Sequence, residues 1–214
     1  MTQVIPPQQA CKPDYWDEAV NYLMKRDRIL RKIIPDHDGV WLASNKTPFV
    51  TLARAIVGQQ VSVNTAEVTW KKFIALCGSR PAPAKVLEYD VEQLRAAGLA
   101  KRKSEYILDL AMHFNEKKVH PAKWSKMSDE EIVDELCSIR GIGRWTAEMF
   151  LIFNLHRPDV LPLDDPRLLK AISIHYFSGE PVSRYEAREV AQTWQPWRTV
   201  ATWYLWRSQE SVAE

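Results

Sequence analysis

Apolar residues recur at intervals of three and four along most of this chain, and no segment alternates apolar with polar residues as a half-buried strand would. Proline and glycine divide the pattern into segments of helical length. The clearest segments run from Tyr15 to Ile34, from Pro48 to Val57 and from Val63 to Cys77. The periodicity therefore predicts an all-α fold.

Further helices are predicted along the rest of the chain. Ser128-Asp-Glu-Glu131 resembles a capping box, in which a serine and a glutamate satisfy the free N–H groups of a first helical turn. The additional segments are 91–98, 103–114, 132–137 and 144–155, followed by helices that begin at Pro166, Ser183 and Pro196. Residues 1–13 are rich in proline and glutamine and are expected to form a flexible tail, which leaves 14–214 as one domain.

The composition is that of an ordinary globular protein and excludes several classes. No apolar run approaches the roughly 20 residues that cross a bilayer, and residues 1–13 lack the features of a secretory signal. Cys11, Cys77 and Cys137 form no CxxC pair, which argues against a zinc site or a disulfide framework and fits a reducing cytoplasm. The net charge of +2 does not by itself suggest nucleic acid.

One short segment between two predicted helices is typical of phosphate binding. In Ile139-Arg-Gly-Ile-Gly-Arg144, a Gly-x-Gly hairpin exposes backbone N–H groups at the start of the next helix. Such donors, aided by the helix dipole, can hold a DNA phosphate without reading sequence. A tight turn between two helices, with glycine at positive φ, would have the same pattern.

Five ordered motifs resemble one family. Residues 136–147 are similar to the helix–hairpin–helix of the base-excision DNA glycosylase superfamily, and residues 161–170 to its catalytic-aspartate loop. Three more motifs indicate the alkylation-repair branch, 3-methyladenine DNA glycosylase II: residues 55–62, 97–103 and 195–201.

The resemblance implies two helical lobes flanking a DNA-binding cleft. The expected lobes are about 14–57 with 166–214, and about 58–165 with the hairpin at 137–146. It implies an enzyme that acts on double-stranded DNA carrying a damaged base. A cytoplasmic location, at the nucleoid if the source is prokaryotic, is expected. Monomer is the default, since one subunit can engage one lesion, but the sequence leaves the oligomeric state open. The resemblance implies no membrane, no protein partner and no required cofactor. A structural Na⁺ or K⁺ is expected on the main-chain carbonyls of Cys137, Ile139 and Ile142.

Asp165 is the candidate catalytic residue. Breaking a glycosidic bond develops positive charge on the sugar, which an ionised carboxylate near C1′ would stabilise. Asp165 follows Trp145 by 20 residues, the interval at which the resembled branch places its essential aspartate. Asp164 is the rival by adjacency. Asp165 could also cap the helix that begins at Pro166, and the two roles are compatible.

Trp145 bears on both the reaction and the substrate. Bifunctional members of the superfamily have at this position a lysine that attacks C1′, so tryptophan implies a monofunctional glycosylase without strand cleavage. Trp145 and Trp206 stand where the family lines its base pocket, and aromatic faces attract cationic alkylated purines. Met149 stands where the best-known member has a pocket tyrosine. Trp206 could equally belong to the core, as most of the nine tryptophans should.

The remaining site predictions concern contacts with DNA. Gln59 and Gln60 resemble the loop that fills the gap left by a flipped base, and the sequence does not choose between them. Ser62 is expected to cap the next helix or to contact DNA. The hairpin contacts are assigned to Gly141, Ile142, Gly143, Arg144 and Thr146.

Two other functions stay open. A non-enzymatic DNA-binding module would use the same hairpin but would not need Asp165. A glycosylase for oxidised or mismatched bases would share the fold. Neither the lesion spectrum nor the role of the helix before Pro48 follows from the sequence.

Overall fold

A computed structural model describes residues 12–43 and 47–209. Within these ranges the chain forms α-helices and short 3₁₀ segments and no β-strand, which confirms the predicted all-α fold. The predicted flexible tail lies almost wholly outside the described residues. The helices are α1 Trp16–Arg26, α2 Leu30–Ile33, α3 Pro48–Gly58, α4 Val63–Cys77, α5 Pro83–Val86, α6 Val91–Ala96, α7 Lys101–Asn115, α8 Asp129–Cys137, α9 Arg144–Phe153, α10 Pro166–Tyr176, α11 Arg184–Ala191 and α12 Arg198–Ser208.

The described residues divide into two compact units. The first unit contains residues 12–43 and 151–209, and the second contains residues 47–150. These bounds differ from the predicted lobes, because α3 belongs to the second unit and the loop that carries Asp165 belongs to the first. The predicted cleft between two lobes stays a prediction.

The core of the first unit is built from the tryptophans near the C-terminus. Trp16 of α1 packs edge-on against Trp203, at 5.2 Å between ring centroids, and donates a hydrogen bond from Nε1 to the Tyr204 hydroxyl at 3.3 Å. Trp16, Trp194 and Trp203 are all buried. The structure thus assigns the N-terminal helix a role that the sequence left open, since α1 covers the aromatic face of α12.

The predicted single helix from Tyr15 to Ile34 is wrong, because the chain breaks at Asp27. One carboxylate oxygen of Asp27 accepts hydrogen bonds from the Ile29 and Leu30 N–H groups, at 2.8 and 2.9 Å, and so starts a new helical turn. The other accepts from the Tyr176 hydroxyl at 2.8 Å and from Trp194 Nε1 at 2.9 Å. Asp27 therefore ties α1 and α2 to the C-terminal end of α10.

The second unit has a separate aromatic core. Phe49 of α3 contacts Phe114 of α7 at 5.5 Å, and Phe114 contacts Trp124, which in turn packs on Phe150 of α9 at 5.3 Å. This chain of ring contacts explains why α3 belongs with α7 rather than with the terminal helices. The apolar stripe that the sequence shows from Phe49 to Val57 is buried here.

Two predicted helix starts are confirmed by their capping hydrogen bonds, and a third is wrong. Ser62 accepts a hydrogen bond from the Thr65 N–H at 3.2 Å, which confirms it as a cap. The capping box at Ser128 is present, with its reciprocal bond to Glu131. The last helix begins at Arg198 and not at the predicted Pro196. In the described part of the chain, no helix has the length and apolarity needed to cross a membrane.

Candidate active site and nucleic-acid interface

The carboxylate of Asp165 is buried at the N-terminus of α10, in the first unit. One oxygen, Oδ1, accepts a hydrogen bond from the Leu168 N–H at 2.9 Å and another from Trp206 Nε1 at 3.0 Å. Asp165 is 1% exposed. The predicted capping role is confirmed, and a second donor from α12 holds the carboxylate in one orientation.

The indole nitrogen of Trp206 donates a hydrogen bond to Asp165, and two other side chains lie against the ring. Phe153 stacks on the ring with 5.7 Å between centroids and 11° between planes. The guanidinium of Arg167 lies over the same ring, 4.9 Å from its centroid, and Arg167 Nε is 3.8 Å from Asp165 Oδ1. Trp206 is therefore both a core residue, at 6% exposure, and a neighbour of the candidate carboxylate.

Asp164, the rival by adjacency, lies in a different environment. Its side chain is 42% exposed and pairs with the Arg184 guanidinium at 2.6 Å. A screened surface ion pair contributes little to stability. Of the two neighbouring aspartates, only Asp165 has a desolvated carboxylate beside an aromatic ring.

In the second unit, the hairpin turns at Gly141. This residue has φ of +87°, and a Cβ built on it would lie 2.2 Å from a ring carbon of Tyr106. Both facts require glycine at this position. Nothing lies within 4 Å of a Cβ built on Gly143, and this residue is exposed to solvent. Ile142 is 4% exposed, so a DNA contact by this residue would use its main chain.

Three side chains hold the hairpin and the neighbouring Gln59 loop in place. Asp109 of α7 accepts a hydrogen bond from the Arg140 N–H at 2.8 Å. Gln59 donates from Nε2 to the Gly141 carbonyl at 2.8 Å. Lys103 donates from Nζ to the Val57 carbonyl at 2.7 Å, near the C-terminus of α3, and its partial burial lowers its pKa.

The two glutamines of the loop therefore differ. The Gln59 amide is engaged with the hairpin, whereas Gln60 is exposed and has a left-handed φ of +55°. Non-glycine residues adopt this conformation rarely, and they cluster at functional loops when they do. These features favour Gln60 as the residue that enters DNA, while the DNA contacts of both residues stay predictions.

The helix after the hairpin presents its predicted site residues in different environments. Arg144 pairs with Glu130 and with Glu148, at 3.0 Å to the latter, and the hydrogen bonds with Glu130 are the main cause of its raised pKa. To contact a phosphate, Arg144 would therefore have to leave Glu130 or Glu148. Trp145 is 41% exposed, Met149 is half-buried and Thr146 is buried. Their roles at DNA stay predictions.

We expect Gly141→Ala to lower the free energy of unfolding by about 2 kcal/mol, since the new methyl group meets the Tyr106 ring. Urea unfolding measures this change. Binding of every duplex should weaken together, because the hairpin backbone moves. Gly143→Ala is the matched control and should change stability by less than about 0.5 kcal/mol. Equal losses in both variants would show that Tyr106 does not constrain the turn.

The predicted cation site uses carbonyl oxygens and not side chains. Among the residues described, no group of three or more His, Cys, Asp or Glu could hold a metal. The Ile139 carbonyl accepts the Ile142 N–H at 3.1 Å, and a carbonyl oxygen has a second lone pair. The turn bond therefore does not by itself block an ion at the Ile139 carbonyl, and the monovalent cation stays a prediction.

The family follows from comparison with known proteins. Residues 53–196, more than half of the chain, match the model of the HhH-GPD superfamily of base excision DNA repair proteins. The chain belongs to this family. The HhH-GPD match contains the hairpin, Asp165 and the Gln59 loop, and it confirms the resemblance seen in the sequence.

Individual members of the HhH-GPD family are similar over most of the chain. A Bacillus subtilis protein named putative DNA-3-methyladenine glycosylase YfjP is 30% identical over 85% of this chain, which spans 66% of that relative's length. The crystal structure of a Bacillus halodurans DNA-3-methyladenine glycosidase has a TM-score of 0.84 and 31% identity, covering 91% of this chain and 90% of that one. Schizosaccharomyces pombe 3-methyladenine DNA glycosylase (Mag1), in complex with abasic DNA, has a TM-score of 0.77 and 26% identity over 90% and 97%.

Proposed function

We propose that this protein is a monofunctional DNA glycosylase that flips alkylated, cationic purines out of duplex DNA and hydrolyses their N-glycosidic bonds, as a step of base excision repair. The observation that carries the proposal is the buried Asp165 carboxylate, oriented by the Trp206 indole N–H at 3.0 Å. The names of the bacterial and yeast relatives support the substrate class.

The chemistry follows from the charge on the sugar. As the bond between C1′ and the purine nitrogen breaks, its electron pair leaves with the base, and the sugar becomes oxocarbenium-like. A fixed carboxylate stabilises this cation without having to reorient during the reaction. Water adds its oxygen to C1′, and its proton is released to the departing base or to solvent. Asp165 has the role of stabilising the cation and of orienting that water.

The lesion supplies part of the driving force. Alkylation at N3 or N7 makes the purine cationic and weakens its glycosidic bond, so a stacking surface and a nearby negative charge suffice for recognition. Trp206 provides an indole beside the carboxylate. The contacts of Trp145 and Met149 with the flipped base belong to the same proposal.

The product is an intact abasic site, because tryptophan at 145 cannot form the Schiff base that starts strand cleavage. Main-chain N–H groups of the hairpin would hold phosphates, and Gln60 would fill the gap in the base stack. A monovalent ion on the carbonyls of Cys137, Ile139 and Ile142 would add positive charge near a phosphate. No other cofactor is proposed.

Incision assays on labelled duplexes test this function. Each duplex carries one 7-methylguanine, hypoxanthine, 8-oxoguanine or mismatched thymine. We expect cleavage of the 7-methylguanine duplex that requires both the protein and the later alkali step, no cleavage without alkali and no borohydride-trapped complex. Activity confined to 8-oxoguanine or mismatched thymine would favour a glycosylase for those bases. Tight binding of every duplex without base release would favour the non-enzymatic module.

A further inference from the structure

The indole of Trp206, beside the candidate carboxylate, is already in contact with a planar cation, the guanidinium of Arg167. The carbon of the Arg167 guanidinium lies 4.9 Å from the Trp206 ring centroid. Its Nε is 3.8 Å from Asp165 Oδ1. The guanidinium therefore lies next to the two groups that the proposed function assigns to an alkylated purine.

Of the two groups stacked on this ring, one can leave without disturbing the fold. Phe153 belongs to α9 and packs parallel to the indole, with 11° between planes. The Arg167 side chain is 59% exposed and is joined to its backbone by a flexible chain. A base that stacks on Trp206 would therefore displace Arg167 and not Phe153.

The main chain around Arg167 is fixed at both sides. Asp165 accepts the Leu168 N–H at 2.9 Å, which closes the first turn of α10. Gln209 donates from Nε2 to the Arg167 carbonyl at 2.8 Å. Because these bonds hold the backbone, the guanidinium can rotate away from the ring while α10 stays in place.

A guanidinium and an N-alkylated purine would be bound by the Trp206 ring and the Asp165 carboxylate for the same reasons. Both are planar, delocalised cations with N–H groups at their edge, and both gain from an aromatic face and a nearby carboxylate. We propose that Arg167 is a reversible plug of the base site, which a flipped purine displaces by taking over its contacts. This inference rests on the proposed function and adds a residue that competes with substrate.

A plug of this kind has a defined kinetic effect. Every base must displace the same guanidinium, so removing it raises occupancy of the site by a common factor for cationic and neutral bases. A single exposed cation–π contact corresponds to about a two- to fivefold change in an equilibrium constant. Arg167 thus slows excision of all purines, undamaged ones included, without changing the order of their excision rates.

The test compares Arg167→Gln with wild-type protein. Arg26→Gln is the matched control, because the Arg26 guanidinium also lies 4.9 Å over a ring, that of Tyr22, which has no part in the proposed base site. Titration calorimetry with the cationic nucleoside 7-methylguanosine, without DNA, should give about two- to fivefold tighter binding only in the Arg167 variant. Unchanged or weaker binding would overturn the plug.

Single-turnover excision of 7-methylguanine and of hypoxanthine is the second measurement. We expect both rates to rise by the same factor in Arg167→Gln. A fall in both rates would make Arg167 a DNA contact, and a change in their ratio would show that it stays beside the bound base; either result overturns the proposal. Loss of the proposed function would appear instead as an inactive wild-type protein, and the nucleoside titration would still test the plug.

Discussion

Asp165→Asn is expected to slow excision of 7-methylguanine by about 100- to 1,000-fold in single-turnover assays, the loss typical when one preorganised electrostatic group is removed from an active site. Asn keeps the shape of the side chain and one oxygen acceptor, so the bonds from Leu168 and Trp206 can persist. Only the negative charge that faces the developing sugar cation disappears. The rate should fall in the chemical step, with DNA affinity nearly unchanged.

Two controls separate this effect from misfolding. Asn caps helices as well as Asp does, so the melting temperature of Asp165→Asn should stay close to that of the wild type. Asp164→Asn changes the neighbouring exposed carboxylate, which pairs with Arg184, and should retain activity within about threefold. If Asp164→Asn were slow and Asp165→Asn remained active, the catalytic role would belong to Asp164.

Asp27→Ala is expected to lower the free energy of unfolding by about 3 kcal/mol or more. The carboxylate is 7% exposed and accepts four hydrogen bonds, two of them from the Tyr176 hydroxyl and Trp194 Nε1. Hydrogen bonds to a charged group are among the stronger ones, and their loss leaves buried donors unsatisfied. Urea unfolding, followed by tryptophan fluorescence, measures the change in midpoint.

The matched control for Asp27 is Asp36→Ala, an exposed aspartate of the same unit. It should alter stability by less than about 0.5 kcal/mol. Tyr176→Phe removes one of the four donors and should cost about 1 kcal/mol. If Asp27→Ala were no less stable than Asp36→Ala, the carboxylate would not join the terminal helices.

Helix ends were predictable where the signal is local. Ser62, Ser128 and Asp165 each bond an N–H group three residues later, so a short stretch of sequence contains both partners. The sequence does not reveal the break at Asp27, because Tyr176 and Trp194, which bond to its second oxygen, lie 149 and 167 residues away. The apolar pattern continues through the break and predicts one helix.

In the candidate site, too, local signals are visible in the sequence and contacts between distant residues are not. Asp165 is a candidate on local signals alone, since its motif and its spacing from Trp145 are both visible in the sequence. The bond of Gln59 to the Gly141 carbonyl spans 82 residues, so the sequence gives no sign that this amide is engaged. The sequence does not single out Arg167, because its contact is with Trp206, 39 positions further on in the chain.

The role of Asp165 in base excision is decided by base release from a duplex with a single 7-methylguanine, measured for wild-type protein and Asp165→Asn in parallel. Mass spectrometry identifies both the free base and the DNA strand. We expect free 7-methylguanine and a full-length strand with an intact abasic site from the wild type, and almost none from the variant. Equal release by both proteins, or a strand cleaved at the lesion, would contradict it.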